Sequence, residues 1–453
     1  MKLIRYLTYL AIPAFAFSLQ AQQADIIILV KAGERPKIAV PDMRGVEGAQ
    51  NVMNTFNATL YADLQDSAVF TMAPKSMYPV DVPQRPTDFK PPLNGQKSGP
   101  WLTDWSNEPV AANYLTVGYT HIRENRLVLN GWLFNVVQPD VRNAQAFGKL
   151  YFADMSEDGA KRVAHEFAAD ILAHLGFKSM FGSKIVYVRA SGRGSSQSKE
   201  IWIMDWDGAN KRQLTHHGSI SSFPAVAADG SRLAYTSYAK GTPQIMMMSL
   251  ETGRILPFLN PRATMSSLPD FSRDGRLLFT STAAGSPMQL FSSALDGTGL
   301  KRVTNSRSID VEPKVNPKTG SDIVFVSGRS GPQQLYLMGA DGGEATRLTS
   351  GEGQASNPAW HPDGQHVAFA WTKGYDPGNF NIFLMDVATR QYTQLTHGAG
   401  RNENPSWAPD GRHIVFSSDR SGGTQQIYTM WADGTNVRQL TSEGRNGNPV
   451  WGK

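Results

Sequence analysis

Asp205-Trp206-Asp207-Gly208-Ala209-Asn210 has the oxygen-rich start of an EF-hand calcium loop. The distal glutamate that such a loop uses as a bidentate ligand is missing, and a tight hairpin already accounts for the Asp-Gly pair. His216-His217 is the only adjacent pair among nine histidines. A zinc site there would need carboxylates or a third histidine, and neighbouring sequence supplies none. No Gly-x-Ser-x-Gly elbow, His-Glu-x-x-His pair, Walker loop or Gly-x-Gly-x-x-Gly turn occurs. The absence of cysteine excludes disulfides, thiolate metal sites and cysteine nucleophiles. The sequence therefore predicts no catalytic residue, no cofactor and no metal site.

A second set of residues is spaced for recognition. Arg262, Arg307, Arg401 and Arg445 recur, with His216, His217 and His397, in segments that lead towards a proline. Directly before those prolines stand Phe223, Leu268, Glu312, Asn357, Asn404 and Asn448. The prolines are Pro224, Pro269, Pro313, Pro358, Pro405 and Pro449, at steps of roughly 45 residues, the length of a four-stranded propeller blade.

The last full repeat, Asn404 to Arg445, shows how such a unit is built. Strands are expected at Pro405–Ala408, His413–Ser418, Gln426–Met430 and Val437–Thr441, separated by Pro409-Asp410-Gly411, Ser421-Gly422-Gly423 and Asp433-Gly434. Alternating apolar residues between Asp-Gly turns mark an antiparallel meander. A Leu-Thr pair closes most repeats: Leu214-Thr215, Leu348-Thr349, Leu395-Thr396 and Leu440-Thr441, with Val303-Thr304 as a variant and Leu256-Pro257 as the exception. Six prolines predict six blades. The sixth, in Asn448-Pro449-Val450-Trp451, has no strands after it, while strands at 184–188, 200–205 and 211–215 have no inner strand before them. The C-terminal strand is therefore expected to close the ring, removing exposed sheet edges. All loops before the inner strands then emerge at one mouth, with a basic rim suited to an acidic protein partner.

The preceding sequence reads as a smaller α/β domain over residues 22–178. Strands are expected at Ile26–Val30, Lys37–Val40, Ala68–Met72, Tyr114–Thr120, Leu127–Val137 and Gly148–Ala153. One helix carries Val52, Phe56, Leu60 and Leu64 on a face, and a second runs Glu157–Leu175 and ends at Gly176. Residues 73–100 contain seven prolines and no periodicity, which predicts a long surface loop. Residues 1–21 read as a secretory signal peptide: Lys2 and Arg5 precede the apolar run Tyr6–Phe17, which is shorter than the roughly 20 residues of a membrane span. No cysteine follows it for lipid attachment, and its removal takes the formal charge from +5 to +3. That excess is too small to suggest a nucleic-acid binder.

The sequence resembles the TolB family of Tol-Pal systems. The repeats Asn404–Gly411, Asn357–Gly364 and Gln426–Gly434 are similar to the family's propeller repeat, which other propeller proteins share. More discriminating are Lys37–Asp42, Asn113–Gly118, and Ala164-His165 with Asp170, Gly176-Phe177 and Lys184–Val188, which resemble the family's N-terminal domain and its junction with the propeller. Departures are the proline-rich insert at 73–100 and Ala225–Gly230, where the family has Trp-Ser-Pro.

The resemblance implies a non-enzymatic periplasmic protein that links the inner-membrane protein TolA to the outer-membrane lipoprotein Pal. It implies a role in outer-membrane invagination at division and in envelope integrity. By resemblance, Leu268, Val311 and Glu312, with Ser267 beside them, contact Pal. Charge and position add Arg262, Arg307, Asn357, Arg401, Asn404 and Arg445. By resemblance again, the mature N-terminus Gln22, Gln23, Ala24, Asp25, Ile26, Ile27, Ile28, Leu29 and Val30 contacts TolA. The competing class is an exported prolyl-oligopeptidase-like hydrolase with a propeller cap; it needs about 200 further residues and a nucleophile elbow, and both are missing.

Overall fold

The structure is a computed structural model and describes residues 35–93, 99–192 and 197–453. The expected signal peptide and the segment Gln22–Val30 lie outside the described residues.

The N-terminal domain contains β1 (Lys37–Ala39), β2 (Arg44–Gly45), α1 (Met53–Asp66), β3 (Thr71–Met72), β4 (Tyr114–Arg123), β5 (Arg126–Asn135), β6 (Gln145–Asp154) and α2 (Glu157–His174). The sheet runs β3-β1-β4-β5-β6, with β2 beside β4. Glu124 and Asn125, both left-handed, form the two-residue turn that pairs Arg123 with Arg126. Met53, Phe56, Leu60 and Leu64 of α1 and Val163, Phe167 and Ile171 of α2 are buried together on one face of the sheet. The Ser156 hydroxyl caps α2 by accepting from Gly159 N–H, and Glu157 and Asp158 complement the positive end of its dipole. Gly176, at φ +81°, lets the chain leave the helix.

Most described residues of 73–93 lie at the surface, as the loop expectation has it, but Phe89 is buried, and apolar residues of the segment that follows, 101–112, are buried with it. Phe89, Leu102, Trp105 and Val110 pack against Leu115, Val117 and Phe134 on the second face of the sheet. The β-strands need a cover on both sides, and the aromatic residues of this proline-rich excursion provide it. Burying each such side chain is worth about 1.5–3 kcal/mol.

Six four-stranded antiparallel sheets follow, making a six-bladed propeller. Their inner strands are Ser221–Val226, Ser266–Phe271, Asp310–Val315, Ala355–Trp360, Asn402–Trp407 and Arg445–Gly452. The last of these pairs with Lys184–Ser191, so the final blade joins the two ends of the propeller sequence.

The Leu-Thr repeat has a physical explanation in the third strand of each blade. Thr215, Thr304, Thr349, Thr396 and Thr441 accept, through Oγ1, from the backbone N–H of Ile201, Leu290, Leu335, Ile382 and Ile427 at 2.8–2.9 Å. In the blade with Leu256-Pro257, Asn260 Oδ1 takes that N–H from Ile245 at 2.9 Å. Tryptophans then staple neighbouring blades: Trp360 Nε1 donates to Lys314 O at 2.9 Å and Trp407 Nε1 to Ala359 O at 3.1 Å.

The N-terminal domain docks on the face opposite the mouth. Asp66, at the end of α1, accepts from Asn436 Nδ2 and Arg438 Nη1 at 2.7 Å, and its carbonyl accepts from Trp431 Nε1 at 3.1 Å. Arg412 is buried there and donates to Ser67 O and Lys178 O, both at 2.8 Å. His413 bridges Asp410 Oδ2 at 2.7 Å and Asp66 O at 2.8 Å.

Candidate functional site

The residues before the inner-strand prolines lie within the strands, not in the loops where the repeat pattern puts them. Phe223, Leu268, Glu312, Asn357 and Asn404 occupy the third position of their inner strands, and Asn448 the fourth of the closing strand. All six have φ between +47° and +56°, and the ladder skips at each. Each is therefore a β-bulge that carries the strand past a proline with no N–H to offer. Asn tolerates this left-handed conformation; phenylalanine, leucine and glutamate do so at a steric cost. The bulge also explains why the strand expected at Pro405–Ala408 begins at Asn402.

Around part of the ring these residues are linked side chain to backbone. Glu312 Oε2 accepts from Asn357 N–H at 2.6 Å, and Asn357 Oδ1 accepts from Asn404 N–H at 3.3 Å. Asn404 Oδ1 in turn accepts from Ser417 Oγ, while Leu268 N–H donates to Thr236 Oγ1, both at 3.1 Å. Glu312, Asn357, Asn404 and Leu268 are all half-buried. Ser267 and Val311 are buried inside their blades, so they support this surface without forming it.

Burial pushes the Glu312 carboxyl above its usual range, against the pull of Asn357 N–H and Lys314; the Glu403 carboxylate adds to the rise. Burial also raises Glu403, with Arg401 opposing and Asp419 reinforcing. Glu403 was missed in the sequence, although Asn402-Glu403-Asn404-Pro405 sets it beside a bulge residue. Because protonation favours the native state here, Glu312 lowers stability as pH climbs from the ordinary glutamate value through its raised one. Glu312→Gln keeps an acceptor for Asn357 N–H and removes this dependence. Urea melts across pH 4 to 8 should show the variant gaining on the parent as pH rises; parallel curves would show that Glu312 carries no penalty.

At the rim, Arg262, Arg307 and Arg445 are exposed. Arg401 is half-buried and bound to Glu403 Oε2 at 3.0 Å, so it is partly neutralised. The mouth is thus of mixed charge: exposed guanidinium groups outside, half-buried carboxyls within. A notch of about 450 Å³ between Glu352, Gly353, Tyr375, Asp376 and Asn379 adds acidic groups at one blade. His217 is fastened to Tyr235 OH at 3.0 Å, and Asp205 is bound by Lys184 and Asn210 within its hairpin.

The sequence profile described as the TolB beta propeller domain matches residues 174–357 and 349–453. The chain belongs to the TolB family. The Protein TolB homolog of Chlorobium luteolum is 37% identical over 296 residues, covering 65% of this chain and 65% of the relative. The homolog from Chlorobium chlorochromatii is 34% identical over 248 residues, 54% of this chain and 53% of the relative. The Tol-Pal system protein TolB of Bordetella pertussis is 33% identical over 191 residues, 42% of each chain. The matched stretches therefore span about half to two thirds of the first two relatives and less of the third. TolB from Acinetobacter baumannii shares the fold, with a TM-score of 0.72 over 92% of this chain and 96% of its own, at 23% identity. The TolB-family repeat thus coincides with the part of the molecule that forms the mouth.

Proposed function

We propose that this chain is a non-enzymatic adaptor of a Tol-Pal system, working in the periplasm. It would carry a Pal-like peptidoglycan-associated lipoprotein on the propeller mouth and a TolA-like inner-membrane protein on Gln22–Val30. In this way it would support outer-membrane invagination during division and envelope integrity. TolB-family membership is the observation that carries this reading, and the TolB names of its relatives supply the system. Leu268, Glu312, Asn357 and Asn404 on the channel wall, ringed by Arg262, Arg307 and Arg445, are the proposed Pal contacts, with Arg401 behind them. Ser267 and Val311 would act from beneath. Rigid inner strands suit such a surface, because preorganised side chains lose little freedom on binding. No helix among the described residues is long and apolar enough to cross a membrane.

Calorimetry against the two partners tests the reading. Leu268→Ala with Glu312→Gln should weaken Pal binding by about 2 kcal/mol or more, about thirtyfold, and leave TolA binding unchanged. A chain lacking Gln22–Val30 should do the reverse. If each variant kept full affinity for its assigned partner, both assignments would fail.

A further inference from the structure

The turn after the inner strand Ala355–Trp360, in the fourth blade, carries a group of side chains that the adaptor reading does not use. His361, Asp363 and His366 follow Trp360 in the sequence His-Pro-Asp-Gly-Gln-His. Their ligand atoms converge: His361 Nδ1 lies 2.9 Å and His366 Nδ1 2.6 Å from Asp363 Oδ2. Among the described residues, no other group of three histidine or carboxylate ligand atoms comes together in this way.

Outer hydrogen bonds orient His361 and Asp363 inwards. His361 Nε2 is 2.8 Å from Gly411 O, and a carbonyl can only accept, so this nitrogen carries the proton. In the neutral ring Nδ1 is then a lone pair, turned towards the Asp363 carboxylate and met by Asp363 N–H at 3.1 Å. His366 turns its Nε2 towards Asp386 Oδ2, 3.8 Å away. Asp363 Oδ1 is committed to the turn, accepting from Gln365 N–H at 2.7 Å and His366 N–H at 3.2 Å. That leaves Oδ2 between the two imidazoles. Histidine metal ligands typically have their second nitrogen held by a carbonyl or carboxylate, as Gly411 O holds His361 Nε2; the Asp386 carboxylate only faces His366 Nε2 across a longer gap.

The fifth blade provides an internal comparison. There Ala408, Asp410 and His413 hold the corresponding positions, and the Asp410–His413 clasp is 2.7 Å long. An Asp–His clasp is therefore complete with alanine in the first place. His361 is an addition that the turn does not require.

We propose that His361, Asp363 and His366 bind a divalent transition-metal ion of the zinc class. Two imidazoles and one carboxylate, with no thiolate, suit zinc, cobalt or nickel better than calcium or magnesium, which favour all-oxygen sites. Ligands about 2.0–2.1 Å from a tetrahedral ion stand about 3.3 Å apart, so the three atoms open by roughly half an ångström as the ion enters. The Asp363 side chain, 30% exposed, gives the route in from solvent. The bound ion would brace the turn and, through the His361–Gly411 bond, the neighbouring blade.

Chelator-treated full-length chain, dialysed against zinc or cobalt, tests this. One ion per chain, visible absorption of tetrahedral cobalt and a rise in melting temperature with zinc are expected. His361→Ala should lower affinity by about a hundredfold or more and abolish the thermal shift, while melting as a folded protein without metal. His216→Ala/His217→Ala should bind as the parent does. Failure of the parent to retain an ion overturns the proposal, as does undiminished binding by His361→Ala or loss only in the His216→Ala/His217→Ala chain.

Discussion

Removal of Asn448–Lys453 is expected to abolish the cooperative unfolding transition of the propeller. The segment supplies half of the inner strand of the closing blade, including the pairs Val450–Val186, Trp451–Ile185 and Gly452–Lys184. Trp451 is buried with Ile185, Tyr187, Met204, Val415 and Ile427, and its indole N–H donates to Ser183 Oγ at 2.9 Å. Its backbone N–H donates to Ser406 Oγ of the previous blade at 3.0 Å, so the segment braces two blades. Truncating a core tryptophan alone costs about 3–5 kcal/mol. Losing the ladder as well approaches the 5–15 kcal/mol total stability typical of a domain. Circular dichroism and calorimetric melts of the shortened chain should show a broad, weak transition. A parent-like melt would mean that the ring is held closed by other contacts.

The second large effect is expected from Arg412→Met. The Arg412 side chain is 6% exposed and Asp410 1% exposed, with 3.3 Å between Nη2 and Oδ2. Methionine retains packing against Phe177, over which the guanidinium sits at 5.3 Å. It leaves the Asp410 carboxylate with His413 as its one charged partner, beside the backbone N–H groups of the turn, and strips donors from Ser67 O and Lys178 O. Breaking a buried pair in this way costs about 3–5 kcal/mol. Because the lost contacts join the two domains, chemical denaturation should split into two transitions where the parent shows one. A single transition at an unchanged midpoint would remove Arg412 from the interface energetics.

The same cluster fixes a pH window. Burial works against ionisation of both partners, but the His413 imidazolium and Arg412 hold Asp410 below the usual carboxylate range, and Asp410 lifts His413 above the usual histidine range. The His413 contribution is full below its unfolded value, about 6.5, and is lost as pH rises through the raised one. The Asp410 contribution is present above its unfolded value and is lost as pH falls through the depressed one.

Much of the propeller was legible because its signals are local. Asp-Gly turns and inner-strand prolines recur at fixed spacing, and each reports the backbone it forces. The bulges were hidden: nothing in Leu268-Pro269 or Glu312-Pro313 announces a left-handed residue, since a residue before proline ordinarily prefers extended backbone. The packing of the proline-rich excursion and the segment after it was hidden for a related reason. Their apolar residues, Phe89, Leu102 and Trp105, follow the contour of the sheet they cover and have no period of their own. The proposed metal site was not legible in the sequence. His361, Asp363 and His366 are close in sequence, but their convergence depends on the turn and on Gly411 from the next blade. At the mouth, positive charge was readable from Arg262, Arg307 and Arg445. The opposing Glu312 and Glu403 were not, because burial sets their behaviour.

Closure of the ring also joins the two most distant parts of the propeller sequence. Ser183 and Trp451, joined by a hydrogen bond, are 268 residues apart in sequence. Until the last strand docks, Lys184–Ser191 can pair with the strand after it but has no inner neighbour. Through that interval it is an open, β-branched edge, the kind of surface that recruits strands from other molecules. A ring whose last strand cannot dock therefore keeps an unpaired edge at Lys184–Ser191.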